Sequence, residues 1–326
     1  NGMEYSLLKD TPWPTHATSI APWCGQGLVG KLRALSGLVI ACVQNMYYLA
    51  KYRPLWVLSM GGYVGFSAGW CALMSGYRLA VCEQNRVPGL ANRVLSRWAN
   101  TLFTAYPHTF VQYEDRSYCY GNPLRQSLYH SAQQPREKRE DGTPLRIVIL
   151  GGSHGSASLN KIIPQLICRC ADQSRLYIRH QCGHNADLKA IARVYAEHGL
   201  QAEVVSYWEN IANEYRWADI AIARAGALTI TELQLFGVPS ILVPLPHSSN
   251  NHQLLNAKYC QMQGSAWLCE QEGLERSSLF INRFNTLVRD KALRQRMSRS
   301  AMRLSKKWSV ERIINHCMLA ADKEGA

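Results

Sequence analysis

Residues 223–232 read "ARAGALTITE", between two apolar runs, Ala218–Ala223 and Ser240–Val243. The pattern predicts strand, tight glycine turn, helix, strand. Small residues from Ala225 to Ala227 let a ligand approach the backbone. Leu228, Thr229 and Ile230 then present N–H groups at the positive end of a helix. Two explanations compete for Glu232. Thr229-x-x-Glu232 fits a capping box, in which the glutamate turns back onto a free backbone amide. Alternatively, its carboxylate accepts hydrogen bonds from two vicinal ribose hydroxyls, as acidic residues do beside nucleotide sites. These residues alone leave both open.

A similar turn lies upstream. The apolar run Leu145–Leu150 leads into Gly151-Gly152-Ser153-His154-Gly155-Ser156, and a helix follows near Leu159. Backbone amides at such a junction make an anion site, and Ser153 adds a hydroxyl donor. The spacing is neither GxGxxG nor a Walker loop, so nicotinamide and ATP are poorly supported, and a plain strand-to-helix turn stays in play. Further strands are predicted at 175–180 and 202–206, and in the first half at Pro54–Met60, ending at Gly61-Gly62, Arg78–Glu83 and Thr101–Ala105. Strands alternating with helices imply parallel sheets. The polar run Ser131–Pro144 is the best linker candidate. It separates an N-terminal domain, 1–130, from a C-terminal domain, 145–308, and the chain closes with a basic helical tail, Leu293–Ala321. The fold class is therefore α/β, two doubly wound domains with ligand in the cleft outside the strand C-termini.

The chain of 326 residues is 47% hydrophobic, which argues against wholesale disorder. Its 36 Lys and Arg against 23 Asp and Glu leave a net charge of +13, suited to a nucleic acid, an acidic membrane surface or a phosphorylated substrate. Trp13, Trp23 and Trp56 are not interleaved with basic clusters, so nucleic acid is the weakest of these. The 11 cysteines form no CxxC and read as reduced, mostly buried thiols of a cytoplasmic protein. A zinc site on His180, Cys182 and His184 competes with one face of a strand, and the strand is preferred. No run of about 18 apolar residues exists. Leu32–Tyr48 reads as an amphipathic helix, apolar at Leu32, Leu35, Val39, Cys42 and Val43, with Lys31, Arg33, Lys51 and Arg53 at its ends. It is either a core-packed helix or one that rests on a membrane interface.

Six motifs occur in order: "GGYVGFSAG" at Gly61, "EQN" at Glu83, "GNPLR" at Gly121, "GGSHGSASLN" at Gly151, "RAGALTITE" at Arg224 and "HQLLNA" at His252. Together they resemble the MurG family, bacterial transferases that move GlcNAc from UDP-GlcNAc onto lipid-linked muramyl-pentapeptide in peptidoglycan synthesis. The resemblance implies a two-domain GT-B fold with the donor held mainly by the second domain. It implies that Ser153 and the Ala227–Leu228–Thr229 turn contact the diphosphate, and that Ile230 and Thr231 also belong to the UDP-GlcNAc site. Glu232 then holds the ribose, Gln253 and Asn256 the sugar hydroxyls, Trp208 the uracil through its backbone, and Asn85 and Arg125 further parts of the donor. Gly61, Gly62 and Tyr63 fall on the acceptor side. The resemblance also implies inversion at the anomeric carbon, no metal or other cofactor, a peripheral place on the cytoplasmic face of the inner membrane through Leu32–Tyr48, and a final helix, 309–326, that crosses back to the first domain.

Two departures stand out. The family opens with a glycine-rich loop, GGTGGH, whose His is a base candidate, whereas this sequence begins at Asn1-Gly2-Met3-Glu4, matching the family after that loop. The expectation is a truncated product that transfers sugar poorly, its catalytic base unassigned; His154 is a weak substitute. Ser67 stands where the family usually has Pro. A UDP-GlcNAc epimerase and a nucleotide-sugar-binding remnant without turnover are the alternatives.

Overall fold

The computed structural model describes residue 8 and residues 11–18, 28–135, 142–152, 155–170 and 175–322. The first sheet contains, among these, β1 (Trp56–Ser59), β2 (Arg78–Glu83), β3 (Thr101–Thr104) and β4 (Ser117–Tyr118), parallel and in that order. Helices α1 (Leu28–Tyr52), α2 (Gly62–Met74) and α3 (Leu90–Leu95) accompany it. Its core gathers Leu79, Val81, Leu95, Leu102 and Phe110.

The second sheet holds β5 (Leu145–Leu150), β6 (Leu176–Gln181), β7 (Gln201–Val205), β8 (Ile220–Ala223), β9 (Ser240–Leu242) and β10 (Ala266–Leu268). All pair parallel in the order β10-β9-β8-β5-β6-β7. The strand order reverses between β5 and β8, and α/β sheets bind ligands beyond the strand ends at such a switch point. Both glycine turns of the sequence leave from there: Gly151–Ser156 runs from β5 into α5 (Ala157–Ile167), and Arg224–Gly226 runs from β8 into α8 (Ala227–Leu235). Gly155 has to be glycine. Its φ is +75°, and a Cβ there would collide with the Cys182 carbonyl oxygen.

The crossing between domains comes earlier than the polar run suggests. Helix α4 (Gln126–Gln133) buries Leu128 and Tyr129, and these join Leu124 in the core of the second sheet, beside Tyr215 and Leu233. The chain has therefore changed domains by Leu124, and 131–133 only completes a helix already docked. The basic tail is two helices, α11 (Lys291–Leu304) and α12 (Ser309–Asp322), broken where Trp308 takes a φ of 60° and stacks on Tyr129. Helix α12 returns to the first domain: Ile313 packs with Ala80, Cys82 and Phe103, and Arg78 Nη1 donates to the Ala320 carbonyl.

Helix α1 extends beyond the expected 32–48. It packs on α2 through Cys42 and Leu49, and Ala41 is buried, while Val39 and Val43, expected on its apolar face, are 57% and 66% exposed. Leu32 and Leu35 belong to a stretch whose side chains are not described. Ser67 explains its own presence: its hydroxyl donates to Val64 O and accepts from Asn45 Nδ2 of α1, tying the two helices.

Candidate functional site

Helix α8 answers the question that "ARAGALTITE" raises. Its N-cap is Gly226, which offers no side-chain cap, and the first amide bonded back to the turn is that of Ile230, to Gly226 O. The N–H groups of Ala227, Leu228 and Thr229 therefore lack helical acceptors and point out of the positive helix end. The capping box is not formed, because Thr229 sits inside the helix and Glu232 does not return to its own backbone. Instead one carboxylate oxygen of Glu232 accepts from the Tyr215 hydroxyl at 2.7 Å. Tyr215 is buried, so the phenol fixes the carboxylate and leaves its other lone pairs for a ligand.

Burial raises the Glu232 pKa above the ordinary glutamate value, while the Tyr215 hydrogen bond and the nearby Arg125 guanidinium pull it down. Arg125 is exposed at the N-cap of α4, placed there by the Leu124 crossing. Helical periodicity divides the expected contact run. Leu228 is half exposed and Glu232 partly so, whereas Ile230 and Thr231 are buried. Thr231 Oγ1 donates to Ala227 O and accepts from Asn122 Nδ2 of the first domain.

The second turn carries a device that the sequence reading passed over. Arg224, 6% exposed, donates to the hydroxyls of Ser156 (2.6 Å) and Ser158 (2.8 Å), to Gln271 Oε1, and to the carbonyls of Val243 and Pro244. These partners are all neutral. Burial alone drags its pKa down to about 10, so it remains a cation at neutral pH. Ser156 is also the N-cap of α5, accepting from Leu159 N–H. A buried cation and two helix N-termini thus converge at the switch point, an arrangement suited to a diphosphate. The available signal was one arginine closing the apolar strand "AIA". Ser153 and His154 lie outside the described residues.

Trp208 is half-buried, and its backbone N–H lies 3.4 Å from Gln181 Oε1. Gln253 Oε1 accepts from Leu245 N–H. Asn256 is fully buried and spans the cleft: its amide oxygen accepts from Arg86 N–H (2.9 Å), and its NH2 donates to Asn85 Oδ1 (3.0 Å) and Ala225 O (3.3 Å). Asn85 and Asn256, expected as separate donor contacts, therefore meet each other and pin the first domain to the α8 turn. Across the cleft, Gly61 and Gly62 open α2 with φ of 85° and 70°, and Tyr63 is 42% exposed. Of the zinc candidates, His180 is fully buried, bonded to the Tyr195 hydroxyl, with its pKa pushed down to about 3 by burial. His184 stacks on Tyr207.

Two parallel α/β domains facing a cleft, with oriented amides and a fixed carboxylate at the switch point of the second, define a GT-B-type glycosyltransferase. The sequence matches the glycosyltransferase family 28 C-terminal domain over residues 146–313 and the family 28 N-terminal domain over 1–104. It is 35% identical over 320 residues to the Pseudomonas fluorescens UDP-N-acetylglucosamine–N-acetylmuramyl-(pentapeptide) pyrophosphoryl-undecaprenol N-acetylglucosamine transferase, covering 98% of this chain and 88% of that one. The crystal structure of Acinetobacter baumannii MurG superposes with a TM-score of 0.78 at 30% identity, over 97% of this chain and 88% of that one. The chain belongs to the MurG family. A Neisseria meningitidis UDP-GlcNAc 2-epimerase shares the fold alone, at 12% identity with a TM-score of 0.62 over 92% of this chain and 83% of that one.

Proposed function

We propose that the protein transfers GlcNAc from UDP-GlcNAc to undecaprenyl-pyrophosphoryl-MurNAc-pentapeptide, with inversion, and that α8 is the element that grips the donor. One observation carries the assignment of the donor site: three acceptor-free amides and a phenol-fixed carboxylate share the first two turns of α8. A diphosphate on the Ala227–Thr229 amides sets the ribose within reach of Glu232, whose free lone pairs accept its vicinal hydroxyls. When the acceptor hydroxyl attacks the anomeric carbon, negative charge grows on the departing UDP. The helix ends and the buried Arg224 stabilise that charge without having to reorganise. Arg125, beside Glu232, supplies a further donor toward the nucleoside. Ser153, Trp208 and Gln253 complete the donor contacts, and Gly61–Tyr63 face the acceptor.

The acceptor is a lipid, and the first domain has a surface suited to reaching it. Val39, Ile40, Val43, Met46 and Tyr47 form an exposed apolar strip on α1, 45–66% exposed, with Lys51 and Arg53 at its end. We propose that this strip rests on the cytoplasmic leaflet, where anionic headgroups attract the basic flank. No helix among the described residues is long and apolar enough to cross the membrane.

The test is UDP release by the protein with UDP-GlcNAc, with and without detergent-solubilised lipid-linked acceptor. Acceptor-dependent release with a β-linked product is expected. Acceptor-independent turnover of the sugar would favour an epimerase, and donor binding without any turnover would favour a nucleotide-sugar-binding protein.

A further inference from the structure

Gln181 is the last residue of β6, paired with Leu150 of β5 on one side and Val205 of β7 on the other. Beyond it the β5 loop carries the glycine turn into α5, and the β7 loop carries Trp208. An apolar residue would fill such a strand end, yet a carboxamide is buried here, 5% exposed. Burying an amide is costly unless its polar atoms are used, and both ends of this one are. Its Nε2 donates to the Gly152 carbonyl (3.4 Å), and its Oε1 accepts from the Trp208 N–H (3.4 Å). One side chain thus ties together two loops that no backbone ladder joins directly.

Each bond is at the long end of the range, so neither fixes a loop by itself. The rigidity of the mount makes the pair effective. The Cys182 and Gly183 amides donate to the carbonyls of Val205 and Ser206, and Gly151 N–H donates to the Gln181 carbonyl. Asn160 Nδ2, from α5, donates to the Cys182 carbonyl at 2.8 Å. The strand end is therefore held from both neighbouring strands and from α5, and a planar amide on that mount sets how far apart the two loops stand. The span has a chemical meaning under the donor reading given above, on which this inference rests. There the glycine turn serves the diphosphate and the Trp208 backbone the nucleobase, so their separation is the length of the nucleotide.

We infer that Gln181 is a positioning residue for the nucleotide, holding the nucleobase wall and the phosphate turn at the spacing that one uridine diphosphate spans. A ligand that engages both loops gains from a preset spacing, whereas a fragment that engages one loop does not.

The test compares UDP, by calorimetry, with uridine and inorganic pyrophosphate, by NMR titration. Gln181→Leu keeps much of the volume and makes neither bond. UDP should weaken about tenfold, the worth of two weak neutral bonds, while each fragment changes by less than about twofold. Gln181→Glu keeps an acceptor for Trp208 but sets a carboxylate toward the phosphate turn, so pyrophosphate should weaken along with UDP while uridine holds. In turnover, Gln181→Leu should raise the donor KM with kcat and the acceptor KM nearly unchanged. The His184 ring stacked on Tyr207 still joins the β6 and β7 loops, so the fold should survive, as an unchanged thermal midpoint would verify. Unchanged UDP affinity in Gln181→Leu overturns the inference. An equal loss for UDP and both fragments also overturns it, because a merely structural residue would do that. A wild-type protein that binds no UDP overturns the donor reading as well, whereas normal wild-type binding beside an unaffected variant removes Gln181 alone.

Discussion

Two glutamates, one closing a strand of the first sheet and one in the helix that follows a strand of the second, have opposite fates. Glu83, at the end of β2, is 4% exposed and accepts four hydrogen bonds, from Asn85 N–H and Nδ2, Gly89 N–H and Asn92 Nδ2. Glu232, past β8, accepts one, from Tyr215. A carboxylate has about four lone-pair sites. The first is saturated by its own loop and staples it; the second is aimed by a single donor and keeps capacity for a ligand. Residue type is shared and position is not, for Glu83 closes a strand and Glu232 lies in the second turn of a helix, but satisfaction is what separates a structural clamp from a binding group.

The largest effect is expected from breaking the clamp. Glu83→Gln keeps the volume but turns one acceptor oxygen into an NH2 facing amide donors. Buried charged groups with several donors cost about 3 kcal/mol or more when one partner is removed. Urea unfolding should show that loss, with the donor KM of the folded protein little changed. A KM rise with stability intact would mean that Glu83 is a ligand group and that the contrast with Glu232 is false.

Glu232→Gln should do the reverse. The amide can still accept from Tyr215, so the fold should hold. Losing the charge toward two ribose hydroxyls should cost about 2 kcal/mol, or roughly thirtyfold in kcat/KM for UDP-GlcNAc. The measurement pairs steady-state kinetics with a thermal midpoint. Wild-type kcat/KM would remove the ribose from Glu232.

The sequence carried this contrast only in part. Long apolar runs bounded by glycines, such as Leu145–Leu150 before Gly151, are legible because strand period and turn chemistry agree. Strands β4 and β10, two and three residues long, are too short to show alternation, and both were missed. The early domain crossing was hidden because only Leu128 and Tyr129 mark α4 as buried. At the site, sequence spacing brought Glu232 to the turn but offered a capping box just as readily. Tyr215, which decides between them, lies 17 residues away in α7 (Ile211–Trp217). Asn85 and Asn256 are 171 residues apart, and nothing in either motif says that they bond to each other. Asparagine at a cleft wall serves a sugar or the opposite wall equally well, and only tertiary structure selects.

The smallest predicted effect tests the phenol that aims Glu232. The ionised carboxylate is the form that accepts from a ribose, so the donor KM should rise as pH falls through the raised Glu232 pKa. Unfolding does not produce this limb. A carboxyl whose folded pKa lies above its unfolded value binds its proton more tightly in the native state, so its contribution to stability grows as pH falls through that window. Burial raises this pKa, and the Tyr215 bond opposes the rise by stabilising the ion. Tyr215→Phe retains the ring against Phe236 and deletes that bond. The acidic limb of kcat/KM, which reports the free enzyme, should then move to higher pH, with only about a two- to threefold loss above it. A limb that stays put or moves down would show that the hydroxyl does not hold the charged form, and Glu232 would lose the asymmetry that distinguishes it from Glu83.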